Sequence, residues 1–168
     1  MTEPWLRGPV PGVPPLLQPV AHALLMSQED VARAVDGLTP EQVWQSPGGS
    51  ATVGFHVAHL SGATDRLFTY ARGDSLTPEQ RATLATEARL SEVRPALEDL
   101  VTKWNQTIDI AIAQLRATKE ESLIDPREVG RDRLPSNVLG LLFHAAEHAS
   151  RHTGQVVTTA KLVRTVGA

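Results

Sequence analysis

Four long stretches of this chain place apolar residues at the helical interval, and no stretch alternates apolar and polar side chains as a half-buried strand does. The first runs over about 15–36 with Leu17, Val20, Leu24, Val31 and Val35, and Gly37 supplies its stop. The second covers about 51–72 and stops at Gly73. The third, about 91–118, carries Leu97, Leu100, Val101, Trp104, Ile108, Ile112 and Leu115, with Pro95 expected in its first turn. The fourth covers about 136–164. Four amphipathic helices bury their stripes most simply against one another, so the expected fold is all-α, a four-helix bundle with no sheet. Residues 119–134 read as a charged, turn-rich loop. The connection over 73–90 is long enough to cross the bundle, so two neighbouring helices can run parallel.

Shorter signals punctuate this pattern. Thr39-Pro40-Glu41-Gln42 and Thr77-Pro78-Glu79-Gln80 repeat one helix-start signature: Thr at the cap, Pro at the first position, Gln three after the cap. Each predicts a short helix in a connection. Six of the 12 prolines fall in the first 19 residues, which makes 1–14 a non-helical arm before a domain over 15–168. Such an arm can cover the bundle end or dock on a partner.

Composition narrows the function. The chain has 168 residues and no Cys, which excludes disulfides, thiolate nucleophiles, iron–sulfur clusters and Cys-held zinc. A net charge of -3 argues against a nucleic-acid binder that relies on a basic surface. No apolar run approaches a membrane span, and the N-terminal residues lack the pattern of a secretory signal, so a cytoplasmic location is expected.

Any resident metal must be held by His, Asp or Glu. Of 6 His, His22 stands alone; His56 and His59 lie in the second helix, and His144, His148 and His152 in the fourth. Side chains four apart share a helical face, so either pair of the row His144, His148, His152 can reach one ion. All three cannot, because the outer two are about 12 Å apart at ~1.5 Å rise per residue. Val138, Leu141, Ala145, Ala149, Val156 and Val163 define the buried side of this helix. His152 falls near its centre, His148 on its flank and His144 toward solvent, so His148 and His152 are the inward pair. In the second helix the stripe of Val53, Leu60, Ala63 and Leu67 puts His56 nearer the centre than His59. Two buried imidazoles from one helix and one from another would give a catalytic site of three histidines with an open position.

The segment Val53-Gly54-Phe55-His56-Val57-Ala58-His59-Leu60, followed by Glu147-His148-Ala149-Ser150-Arg151-His152-Thr153-Gly154-Gln155, resembles the DinB/YfiT-like superfamily of metal-dependent four-helix bundles. The resemblance spans about 16–164. It implies a metal site of His59, His148 and His152, choosing His59 where periodicity favours His56. His56 and His144 then stand as reserve ligands or outer partners, and Gln155 as a group that orients a metal-bound species or packs between helices. The implied cofactor is one divalent ion, zinc or nickel before iron. The implied activity is thiol-dependent S-transfer, in which the ion activates a low-molecular-weight thiol against an electrophilic substrate. A metal-dependent hydrolase and a non-catalytic metal-binding stress-response module are the alternatives. A homodimer is the commonest assembly for such a chain. Among other residues, Glu147 and Arg151 read as a solvated ion pair, Asp65 as surface, and Trp44, Trp104 and Tyr70 as core or pocket wall.

Overall fold

The computed structural model describes residues 2–165 and is mostly helical. In chain order the helices are α1 (Gln18–Val35), α2 (Pro40–Trp44), α3 (Val53–Arg72), α4 (Pro78–Thr86), α5 (Leu90–Val93), α6 (Leu97–Ala117) and α7 (Val138–Thr165). The four long ones close a ring, with α7 against both α1 and α3 and α6 against both α3 and α1. Their directions follow from the pairs that meet. Near their C-terminal ends, the Gln114 side chain donates to the Phe68 carbonyl and Arg72 donates to Gln114, so α3 and α6 run the same way. Ser27 meets Thr153, and Arg164 donates to the carbonyls of Ala34 and Asp36, so α1 and α7 also run together. His56 meets His152 and His59 meets His148, which sets α3 antiparallel to α7.

The core is what the apolar stripes enclose. Leu24 and Val31 of α1, Val57 and Leu60 of α3, Trp104 and Ile108 of α6, and Leu142 and Val156 of α7 are fully buried. Burial of side chains this size contributes about 1.5–3 kcal/mol each. Ala145, Ala149 and Ala160 line the buried side of α7 and let its neighbours approach closely. Gly54 does the same at the start of α3, where an added Cβ would lie 2.6 Å from the Trp44 ring.

Both Thr-Pro-Glu-Gln signatures form the helices they predict. Thr39 and Thr77 accept from the amides of Gln42 and Gln80, whose side chains accept in return from the capping amides. Gly73 takes the left-handed conformation that ends α3.

Three boundaries depart from the sequence reading. The third helix does not start at 91. Arg94 adopts φ +50° and closes the single turn of α5, because the residue before Pro95 is disfavoured in the right-handed helical region; α6 begins only at Leu97. Residues 119–134 are not all loop, and the fold is not free of sheet. Strands β1 (Pro126–Val129) and β2 (Leu134–Asn137) pair antiparallel, Val129 opposite Leu134. Neither strand buries a face, so no alternation marks them in the sequence. The fourth helix therefore starts at Val138 and not 136, with the Asn137 side chain accepting from the Gly140 amide.

The proline-rich arm folds back on its own chain. Gln18 bonds the backbone of Val10 and Val13, Arg7 pairs with Glu29, Arg116 donates to the Pro11 carbonyl, and Val13 is buried. Among the described residues, no helix is long and apolar enough to cross a membrane.

Candidate metal centre

Four of the 6 histidines meet where α3 crosses α7. Spacing on each helix and the antiparallel run of the two produce this: His56 falls opposite His152, and His59 opposite His148. Nδ1 of His56 lies 3.0 Å from Nδ1 of His152. Nε2 of His59 lies 3.0 Å from Nε2 of His148. The ring of His152 sits 4.5 Å, centroid to centroid, from those of both His59 and His148. One nitrogen from each of His59, His148 and His152 lies within 4.8 Å of the other two.

The protonation states suit a cation. Burial pushes His152 down to about 4, with the neighbouring His59, His148 and His56 adding to the effect. Burial likewise lowers His148 and His56. At neutral pH these three imidazoles are neutral, which is the ligating form. His59 has a different support. Its Nδ1 lies 2.8 Å from Oε2 of Glu87, a residue only 8% exposed. Burial by itself would raise the Glu87 carboxyl, but hydrogen bonds from His59 and Arg66 hold it below its usual range. An ionised carboxylate only accepts, so the His59 proton sits on Nδ1 and the Nε2 lone pair points into the cluster. A carboxylate behind a histidine is the common outer partner of a metal ligand.

Arg66 donates to Oε1 of Glu87 at 2.5 Å, which fixes the carboxylate from the far side. Gly62 makes room for this pair, since a Cβ there would lie 2.6 Å from Oε1 of Glu87 and 2.8 Å from Nη1 of Arg66. Phe55 stacks on the outer face of His59, with ring planes 10° apart.

The residues fit a divalent ion. Two nitrogens held tetrahedrally at ~2.1 Å from zinc stand about 3.4 Å apart. The His59–His148 separation need widen by only a few tenths of an ångström. Such an ion would replace the contacts that the imidazoles otherwise make with one another.

The remaining candidates divide. His56 is buried against His152 and can accept the Nδ1 proton that His152 must carry when its Nε2 ligates. His144 is exposed and bonded to Glu147. Gln155 is exposed and is not drawn into the cluster. Glu147 and Arg151 form the expected surface pair, although Arg151 also approaches Nδ1 of His148 at 3.3 Å. Asp65 is half-buried and accepts from Gln80. Trp44 and Trp104 are core, and Tyr70 is half-buried against it. Glu87 escaped the sequence reading. It lies in the connection after α4, 28 residues from His59, with no motif around it. Arg66 carried a faint signal, two turns beyond His59 on the same helix.

The family model described as the DinB superfamily matches residues 23–156, a span that contains all of α3 and every histidine of the cluster. No curated protein matches the chain.

Proposed function

The chain belongs to the DinB superfamily, and from that membership and the histidine cluster we propose that it is a metal-dependent enzyme acting as a thiol S-transferase. In this reading His59, His148 and His152 hold one divalent ion, zinc or nickel before iron. The four long helices are the family's four-helix bundle, 73–96 is its crossover, and the domain begins near 15 after the arm. The observation that carries the reading is the convergence of three imidazoles from two helices, with Glu87 fixing the proton on His59.

A divalent ion bound there would lower the pKa of a thiol or water at its open position. The protein's own residues do the rest. Glu87 and Arg66 keep the His59 Nε2 lone pair aimed inward without a change of tautomer. His56 takes the Nδ1 proton of His152 as a hydrogen bond, which orients that ring. Phe55 covers His59 and excludes water from one side. Arg151, held at the rim by Glu147, brings its Nη2 to 3.3 Å from Nδ1 of His148 and steadies that ring from the solvent side.

The test starts with untagged full-length protein and elemental analysis. One divalent ion per chain is expected, lost in His59→Ala, His148→Ala and His152→Ala but kept in His144→Ala. The loaded protein should then conjugate a small thiol to a haloalkyl electrophile faster than the ion in buffer does. Protein that carries no ion, or loses it equally with His144→Ala, would overturn the ligand set. Stoichiometric metal without conjugation would overturn the transferase and leave hydrolysis or a metal-holding module.

A further inference from the structure

Beyond the histidines, the last turns of α3 are flanked by two elements that contribute no buried side chain. No residue of α4 is buried, and neither strand of the hairpin buries a face. Polar side chains tie each of them to α3. Gln80 of α4 donates to Asp65 at 2.8 Å and to Thr69 at 2.7 Å, and Arg127 of β1 donates to the Ala71 carbonyl at 2.9 Å. Between these two walls lies a cavity of about 630 Å³, well inside the range of small-molecule pockets. On its α3 side is Tyr70, the one tyrosine of the chain, half-buried against the core. Leu76 and Leu84 add apolar surface from the α4 side, and Leu84 is 45% exposed there.

The charges around this cavity are of one sign. Arg81 enters from α4 and Arg131 from the hairpin turn, and no carboxylate is in the lining. Arg81 donates to the Leu76 carbonyl through Nη1, which fixes the guanidinium and leaves its other N–H groups free. Arg131 makes no ion pair and no side-chain hydrogen bond among the described residues, and the hydroxyls of Tyr70 and Ser75 have no partner there either. The acids around the cleft are engaged elsewhere or lie outside it. Asp74 and Glu128 border the adjoining cavity and pair with Arg72 and Arg133. Asp132, beside Arg131 in the chain, and Glu79, two residues before Arg81, line neither cavity. On a chain of net charge -3, two guanidiniums without counter-charges in one concave site select an anion. Each presents a planar fork of donors that suits the oxygens of a carboxylate or a phosphate.

We propose that this cleft binds a small aromatic oxyanion, its charge held between Arg81 and Arg131 and its ring laid on Tyr70 and Leu84. The site does not depend on the metal reading. Tyr70 lies 11 residues beyond His59 on α3, about 16 Å away at ~1.5 Å rise per residue.

The test is a titration of ¹⁵N-labelled full-length protein with benzoate, phenyl phosphate, benzamide and benzylamine, followed by backbone amide shifts. At least one of the two anions should give saturable shifts over residues 70–85 and 129–132, and the tighter of them identifies the oxyanion as carboxylate or phosphate. Benzamide and benzylamine should each bind about tenfold more weakly than that anion, the loss of one charge-assisted contact. Arg131→Gln changes an exposed side chain that the fold does not use. It should lower the anion's affinity by a similar factor and leave benzamide unchanged. Leu84→Ser should weaken anion and benzamide alike. Absence of saturable shifts, binding of benzylamine as tight as that of the anions, or indifference to either substitution would overturn the proposal. So would shifts confined to the amides around His59 and His148, which would place the anion at the histidine cluster instead.

Discussion

At the scale of single residues, the site is organised by where protons sit. Glu87 keeps one on His59 Nδ1, and replacing it removes that constraint and leaves Arg66 half-buried without its partner. Glu87→Ala should therefore weaken metal binding about 10- to 100-fold, read by competition with a chromophoric chelator. Glu87→Gln keeps an acceptor oxygen for His59 and should lose less; equal loss in the two variants would show that charge, not orientation, is what matters. The buried imidazoles make a separate prediction for the metal-free protein. His152 titrates at about 4 when folded, against an ordinary value of 6.5. Between those limits the unfolded chain takes up a proton that the folded chain refuses, so stability falls as pH falls from 6.5 to 4 and is flat above 6.5. His56 and His148 act in the same direction. Glu87, whose carboxyl is depressed, adds stability above about 4.5 that is lost only at lower pH. Urea midpoints of chelated protein across this range should show the slope, and His152→Gln should flatten it. A midpoint independent of pH would contradict the burial of the cluster.

At the scale of elements, what the sequence revealed and what it hid have separate physical causes. The long helices were legible because each buries a stripe, and a stripe repeats at about 3.6 residues. Of the short ones, α2 and α4 were legible because a capping box is local chemistry, and α5, which has no side-chain cap, was not. The hairpin was not, because Pro-Arg-Glu-Val and Leu-Pro-Ser-Asn bury no common face and leave Leu134 60% exposed. The histidine pair on α7 could be chosen from its own helix. On α3 the stripe identified the more buried residue, His56, correctly, while His59, at the edge of that stripe, is the one whose nitrogen stands with those of His148 and His152 as a group that could hold an ion. Glu87 was illegible because only tertiary structure brings it to His59. Close packing between elements gives a further prediction. Gly54→Ala drives a methyl into the Trp44 ring, 2.6 Å away, so α2 must shift off α3. Overpacking of this kind costs about 1–3 kcal/mol, and urea unfolding should show it without loss of helical signal. A neutral result would mean that α2 is free to move.

At the scale of the whole molecule, the cluster joins the two helices that pack most extensively, and it draws on residues far apart in the chain's order. His59 and His148 are 89 residues apart. In the unfolded chain these imidazoles are scattered, so a divalent ion held as proposed would bind the folded state almost exclusively and would add directly to folding stability. At a thousandfold excess over Kd the gain is about 4 kcal/mol. For a domain of this size that corresponds to a rise in Tm of about 8–16 °C. Differential scanning of metal-loaded protein, with and without a strong chelator, should show a difference of this order. His148→Ala should remove it, because the α7 half of the cluster then has one ligand fewer. The exposed His144 should be replaceable without effect, since its ring is bonded to Glu147 at the surface. If the chelated and loaded proteins melt together, the four imidazoles hold one another in place and the α3–α7 contact is complete without a cation.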